Sequence, residues 1–220
     1  MTLKILLMSL AVAIVLPRIP VVGKFFNIIN TALHEFGHAL MALMTGGEVR
    51  KIQLFQDTSG VTTTQSGNRL SAFFVSLAGY PFAVSIAWLS FYLVQQNASL
   101  ALVVALSVLF FIMLLFWIRN GYGALWVVLF CAVNVFLIYK GNADHIQIAA
   151  TFYAVMVLAE SVYSAFVLLV LSLRDHNKAG DATNLEKLTH IPAVIWSLLF
   201  LAYTLWVVYR VWLMLSPVII

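Results

Sequence analysis

The sequence predicts an all-α polytopic membrane protein, with about six to seven transmembrane helices and a small β-hairpin after the second of them. Of the 220 residues, 63% are hydrophobic and 9% are charged, whereas soluble domains carry about 25% charged residues. Apolar runs long enough to cross a bilayer recur along the chain. One polar connection between two early runs instead has the β-branched, alternating pattern of strands. The bilayer must therefore act as the solvent for most of this chain.

Seven apolar runs are candidate membrane helices, because a helix needs about 20 predominantly apolar residues to span the bilayer. They cover roughly residues 3–22, 25–45, 70–95, 98–118, 122–140, 147–172 and 191–215. The first run is interrupted by Pro17 and Pro20 and lacks a small-residue cleavage site, so we predict a retained membrane segment rather than a signal peptide. Residues 1–220 are predicted to form a single membrane-embedded domain.

The second run, residues 25–45, carries the motif His-Glu-Phe-Gly-His at residues 34–38. Residues i and i+4 share a helix face, so His34 and His38 can both direct an imidazole at one metal ion. Glu35 is offset by about 100°, near enough to reach a metal-bound water without ligating the metal. Zinc lowers the pKa of such a water toward about 7, and the carboxylate takes its proton as hydroxide attacks a carbonyl.

The same motif can also occur without any role in metal binding. The pattern arises by chance on soluble helices, where a histidine pair beside a glutamate is simply a solvated face. Here the three ionisable groups lie in an apolar helix, where each charge costs at least about 2.5 kcal/mol. Their clustering favours a metal site, and we predict one zinc ion per chain.

Catalytic zinc usually has three protein ligands and an open position, so a third ligand must come from elsewhere. The second half of the His-bearing helix approaches the same side as the connection at residues 173–190, which favours that connection. Within it, Asp181 follows a glycine at a predicted helix start, where it could ligate the metal or merely cap the helix. Glu160, inside a membrane run, is a reserve candidate. The other candidates are Asp57, Asp144, His145, Asp175, His176, Glu186 and His190.

The connection at about residues 46–69 contains the predicted hairpin, with strands near residues 49–55 and 60–65 and turn residues between them. Its edge could pair with an extended substrate strand, or the hairpin could be a surface feature without a role in catalysis. Asn120, beside a glycine, either lines the site or forms an ordinary turn.

The basic residues predict the orientation. With seven crossings, one side holds Lys4, Arg50, Lys51, Arg69, Arg119, Arg174, Lys178 and Lys187. The positive-inside rule places that side, with both long polar connections, in the cytoplasm. We therefore predict a multi-pass protein of the cell membrane, with its active site toward the cytoplasm. The basic residues are scattered singly, so no nucleic-acid partner is expected.

Several stretches together resemble the site-2-protease class of intramembrane zinc peptidases, and most closely its compact bacterial branch, the peptidase M-fifty-B-like family. The stretches lie at residues 34–40, 45–50, 60–62, 77–81, 119–123, 180–182 and 191–196. The resemblance implies that Asp181 is the third zinc ligand. It also implies cleavage of a membrane protein or peptide substrate.

The leading hypothesis is a zinc-dependent intramembrane endopeptidase in which Glu35 activates a zinc-bound water. The alternative is a non-catalytic membrane metal-binding protein or metal carrier that uses the same histidine pair. Glu35 favours the enzyme, because a carrier gains nothing from a general base beside its ligands. The expected partners are the substrate and the lipid bilayer, and the sequence leaves the oligomeric state open.

Overall fold

A computed structural model describes residues 19–219 together with Met8, Ala11 and Val15. Within these residues the chain forms seven α-helices and one two-stranded antiparallel hairpin, so the predicted fold class is confirmed. A short 3₁₀ turn at His176–Lys178 precedes the sixth helix. The elements are α1 (Pro20–Met44), β1 (Glu48–Leu54), β2 (Gly60–Gln65), α2 (Arg69–Gln95), α3 (Ser99–Phe116), α4 (Gly121–Lys140), α5 (Ala143–Arg174), α6 (Gly180–Thr189) and α7 (Ala193–Ile219).

Five of these helices, α2 to α5 and α7, are long and apolar enough to cross a membrane. The His-bearing helix α1 is not among them, because polar residues interrupt its apolar face. These are Asn27, Asn30, Thr31, His34, Glu35 and His38. The predicted boundary between the first two runs, near residues 22–25, is wrong: α1 begins at Pro20, where proline is tolerated because a first-turn N–H has no partner in the helix. The rest of the first run lies almost entirely outside the described residues.

The helix ends gather at two ends of the bundle. At one, which we call the hairpin end, Thr45 Oγ1 lies 2.7 Å from Ser71 Oγ, and Arg69 Nε donates to the carbonyl of Leu188 at 3.1 Å. At the opposite end, Gln95 Nε2 donates to the carbonyl of Met214. The C-terminal half of α1 and the segment that bears Asp181 therefore share the hairpin end, as predicted.

Polar side chains buried in the apolar core are hydrogen-bonded across helices. Asn134 of α4 donates to Ser107 of α3 at 2.9 Å and accepts from the hydroxyl of Tyr153 of α5 at 2.7 Å. Ser161 of α5 donates to the side chain of Asn30 of α1 at 2.8 Å. Each bond spares a buried polar group the cost of lacking a partner, so these contacts join the helices around the site.

The hairpin lies along α1 and is held on both sides. Ile52 and Leu54 of β1 are fully buried. The hydroxyl of Thr31 in α1 donates to the carbonyl of Thr58 in the turn of the hairpin at 2.7 Å. On the outer side of β1, the N–H of Ile52 donates to the carbonyl of Trp117, and the carbonyl of Ile52 accepts from the N–H of Arg119.

Asn120 completes this outer edge. Its side chain accepts from the N–H of Leu54 at 3.2 Å and donates to the carbonyl of the same residue at 2.6 Å. Of the two roles predicted for Asn120, lining the site is wrong, since it fastens β1 to the start of α4. The outer edge of β1 is thus covered, which leaves the outer edge of β2 as the unpaired edge of this sheet.

Candidate metal centre

Three side chains that could ligate a metal converge at the hairpin end of α1. His34 and His38 lie one helical turn apart, and their Nε2 atoms are 3.0 Å from each other. Oδ2 of Asp181 lies 3.2 Å from each of these nitrogens. Among the described residues, this is the group of three or more His, Cys, Asp or Glu side chains whose donor atoms could hold one metal ion.

The imidazole of His38 is oriented by a hydrogen bond of its second ring nitrogen. Nδ1 of His38 lies 2.7 Å from the carbonyl oxygen of Val75 in α2. A carbonyl can only accept, so Nδ1 donates this hydrogen bond, and in the neutral imidazole Nε2 is left free to ligate a metal. Ring nitrogens that ligate metals commonly have such a hydrogen bond on the other side of the ring.

Helix α2 makes room for the imidazoles with a glycine. A Cβ atom at Gly79 would lie 2.5 Å from Cε1 of His34 and 2.6 Å from Nε2 of His38, well inside van der Waals contact. The ring of Tyr80 meets the His34 ring edge to face, with centroids 4.7 Å apart. Gly79 therefore sets the close approach of α2, and Tyr80 limits how the first imidazole can rotate.

Asp181 reaches the histidines because α6 is anchored beside them. Its neighbours Ala182 and Leu185 are fully buried in a cluster with Trp196 and Phe200. Burial raises the pKa of Asp181, but His38 and His34 outweigh that effect and lower it below the ordinary value for a carboxyl group. The carboxylate is therefore charged at neutral pH. The capping role considered for Asp181 is not observed, because Ala179 is the N-cap of α6 and has no side-chain capping bond.

The donor set fits zinc. Tetrahedral coordination with zinc–nitrogen and zinc–oxygen distances near 2.1 Å places neighbouring donor atoms about 3.4 Å apart, close to the separations of 3.0 and 3.2 Å. Oδ2 of Asp181 is buried without a hydrogen-bond partner. A buried acceptor without a partner is costly. A cation between these donors would remove this cost.

Glu35 lies beside this group and is only 5% exposed. Its Oε2 accepts a hydrogen bond of 2.6 Å from the hydroxyl of Thr62 in β2. Gly60 permits this contact, because a Cβ there would lie 2.7 Å from both Cγ and Oε1 of Glu35. The carboxylate is thus enclosed between α1 and the hairpin, in the same cleft as the three donor atoms.

These residues line one cleft with a volume of about 370 Å³. Helices α1, α2 and α6 and strand β2 each form part of its wall. The remaining lining residues are Val61, Thr64, Ser66, Ala72, Val75, Ser76, Tyr80, Gly180 and Asn184. His34, His38, Asp181 and Glu35 thus share one cavity.

The other candidates for the third ligand do not join this group. Glu160 lies within α5, and Asp144 and His145 lie at the start of that helix at the opposite end. His176 pairs instead with Glu186, with Nδ1 to Oε2 at 3.0 Å. The remaining candidates outside the group are Asp57, Asp175 and His190.

Sequence reasoning gave no role to Thr62, Gly79 or the carbonyl of Val75. The family resemblance did include Gly79 and the strand with Thr62, and this was the available signal. Neither threonine nor glycine suggests metal chemistry by its residue type. Their roles depend on contacts between elements that are far apart along the chain.

Comparison with known proteins supports the same interpretation. The model of one protein family, described as Peptidase M50B-like, matches residues 5–211. No curated protein and no solved structure matches the chain. Because the family model covers most of the sequence, the chain belongs to the Peptidase M50B-like family.

Proposed function

We propose that this protein is a zinc-dependent intramembrane endopeptidase that hydrolyses a peptide bond of a membrane protein or peptide substrate. The observation that carries the proposal is a buried glutamate beside three convergent donor atoms, all lining one cleft. Family membership supports peptidase activity. The reaction and the roles of individual residues are inferred from the geometry.

His34, His38 and Asp181 would hold the metal ion, one per chain. When bound, zinc supplies a Lewis acid that polarises the scissile carbonyl and makes water acidic enough to attack at neutral pH. Oε1 of Glu35 accepts the proton of the attacking water, and Glu35 then passes it to the leaving nitrogen. Oε1 is available because none of the described residues donates a hydrogen bond to it, whereas Oε2 is held by Thr62.

The hairpin supports an extended substrate. The N–H and the carbonyl of Ile52 are bonded to residues 117 and 119, on the side of β1 away from β2. Ile52 and Thr62, which lie opposite each other, therefore form an antiparallel pair without hydrogen bonds between the two residues. The N–H and carbonyl of Thr62 then point to the unpaired edge of β2. Because helical backbone is already hydrogen-bonded, a transmembrane substrate must unwind locally before it can pair there.

A membrane metal carrier with the same ligands is the alternative. Transport requires that the metal be released, whereas Asp181 lies on a helix anchored by Arg69 and by buried apolar contacts. A metal carrier would gain nothing from a glutamate enclosed beside its ligands. Both features favour hydrolysis.

The deciding experiment compares Glu35→Gln with Asp181→Asn by zinc content and by single-turnover cleavage of a membrane-tethered reporter. Glu35→Gln should keep its zinc and lose about 10² to 10⁴ in rate, the usual contribution of a positioned acid–base group. Asp181→Asn should lose zinc under mild chelation, with activity falling as a consequence. Glu48→Gln, which changes an exposed carboxylate at the start of β1, serves as the control.

Wild-type cleavage by Glu35→Gln would rule out the general base. Wild-type zinc in a His34→Ala/His38→Ala variant would rule out the metal centre. Retention of zinc by Asp181→Asn under chelation would move the third ligand to another residue.

A further inference from the structure

Thr62 is the side chain of the hairpin that contacts the proposed general base. Its hydroxyl lies 2.6 Å from Oε2 of Glu35 and 3.0 Å from the main-chain carbonyl of the same residue. A hydroxyl has one proton to donate, and a bond to a carboxylate is about twice as strong as one to a neutral acceptor. The shorter contact is thus also the stronger one.

We infer that Thr62 is a positioning residue for the proposed hydrolysis, because its hydroxyl holds Oε2 of Glu35 and leaves Oε1 to exchange the proton. This inference rests on the proposed function. Thr62 keeps its own proton throughout, while Glu35 accepts one from water and returns it to the leaving nitrogen. Thr62 therefore acts only through Glu35.

The need for such a residue follows from the side chain of glutamate. Three rotatable bonds separate its carboxylate from the backbone, and ordering such a side chain costs entropy. Gly60 lies against Cγ and Oε1, while the Thr62 hydroxyl holds the other oxygen. Two residues of β2 thus hold the carboxylate in one orientation before substrate arrives, which favours catalysis.

The same residue links the base to the substrate edge. The side chain of Thr62 points to α1, while its N–H and carbonyl lie on the unpaired edge of β2. A substrate strand bound to this edge would fix the backbone of Thr62, and through the hydroxyl it would also fix Glu35. Binding and base orientation are thereby coupled through one residue.

The test compares Thr62→Val, which keeps the shape and removes the hydroxyl, with Thr62→Ser, which keeps the hydroxyl. Thr63→Val is the matched control, because Thr63 is exposed on the other face of the strand. Thr62→Val should lower kcat about tenfold to a hundredfold with KM and zinc content near wild type. Thr62→Ser should restore most of kcat, and Thr63→Val should match the wild type.

A double variant separates positioning from general destabilisation. If Thr62 acts only through Glu35, Thr62→Val should have no further effect on kcat in a Glu35→Gln background. The inference is overturned if Thr62→Val cleaves at the wild-type rate or if Thr62→Ser fails to restore kcat. It is also overturned if the double variant has a kcat reduced by the product of the two single reductions. Wild-type cleavage by Glu35→Gln would overturn the proposed function as well, whereas a slow Glu35→Gln with a normal Thr62→Val overturns this inference alone.

Discussion

At the scale of single residues, the site depends on small side chains as much as on ionisable ones. Gly79 and Gly60 let two neighbouring elements approach the imidazoles and the carboxylate more closely than any Cβ would allow. Neither glycine has the positive φ that only glycine adopts readily, since the glycines with positive φ among the described residues are Gly46 and Gly180. The requirement at both positions is therefore space rather than backbone freedom.

This explanation predicts that Gly79→Ala disrupts the metal centre. The added methyl group would lie 2.5 to 2.7 Å from the two imidazoles, so the rings or α2 must move, and catalytic geometry tolerates shifts of only about 0.5 Å. We expect zinc content well below that of the wild type by elemental analysis, and loss of cleavage. Gly121→Ala is the control, because a Cβ there meets nothing within 4 Å. Normal zinc content in Gly79→Ala would show that the site has more room than the contacts indicate.

At the scale of elements, the hairpin is as much a part of the site as the helices. Its buried face packs on α1 through Ile52 and Leu54, its outer edge is covered by residues 117–120, and Thr62 reaches Glu35. A two-stranded hairpin alone is marginally stable in water. The neighbouring contacts therefore supply the order that a precisely placed Thr62 requires.

Asn120 tests the role of the covered edge. Asn120→Ala removes both side-chain bonds to Leu54, each worth about 0.5–1.5 kcal/mol net. Hydrogen exchange of the Leu54 amide should accelerate about tenfold or more, since about 1.4 kcal/mol corresponds to a factor of ten. Cleavage should fall while zinc remains bound. Asn177→Ala, which changes an exposed residue of the 3₁₀ turn, should leave the exchange unchanged, and unchanged exchange in Asn120→Ala would contradict this assignment.

At the scale of the whole molecule, the arrangement of the helices places every part of the site at one end of the bundle. The hairpin end carries most of the basic residues: Arg50, Lys51, Arg69, Arg119, Arg174, Lys178 and Lys187. Lys24, Lys140 and Arg210 lie toward the opposite end, where Arg210 stacks on Trp88 and Trp206. By the positive-inside rule we propose that the hairpin end, with the metal centre, faces the cytoplasm of a multi-pass protein in the cell membrane.

Cysteine labelling checks this orientation. In a Cys131→Ala background, Ser66→Cys and Asn177→Cys should react with an impermeant thiol reagent only from the cytoplasmic side. Lys140→Cys, at the end of α4, should react only from outside. Reaction of the first two from outside would reverse the orientation, and reaction from different sides would contradict the fold.

The sequence alone was sufficient for those features that depend on local pattern. Apolar length predicts the membrane helices, alternation predicts the hairpin, and the spacing of His34 and His38 places both imidazoles on one helix face. The start of α1 at Pro20 was predicted less well, because a helix can extend beyond the apolar run by which it is recognised. Local pattern predicts an element without predicting its neighbours.

Only the tertiary structure chose among the alternatives that pattern left open. Asp181 had a capping role as its rival, and the packing of α6 places its carboxylate 3.2 Å from both imidazoles. Thr62 and Gly79 lie 27 and 41 residues beyond Glu35 and His38 in the sequence, so no local rule connects them to the site. Their contacts exist because β2 and α2 pack against α1, and the packing of distant segments depends on the whole chain.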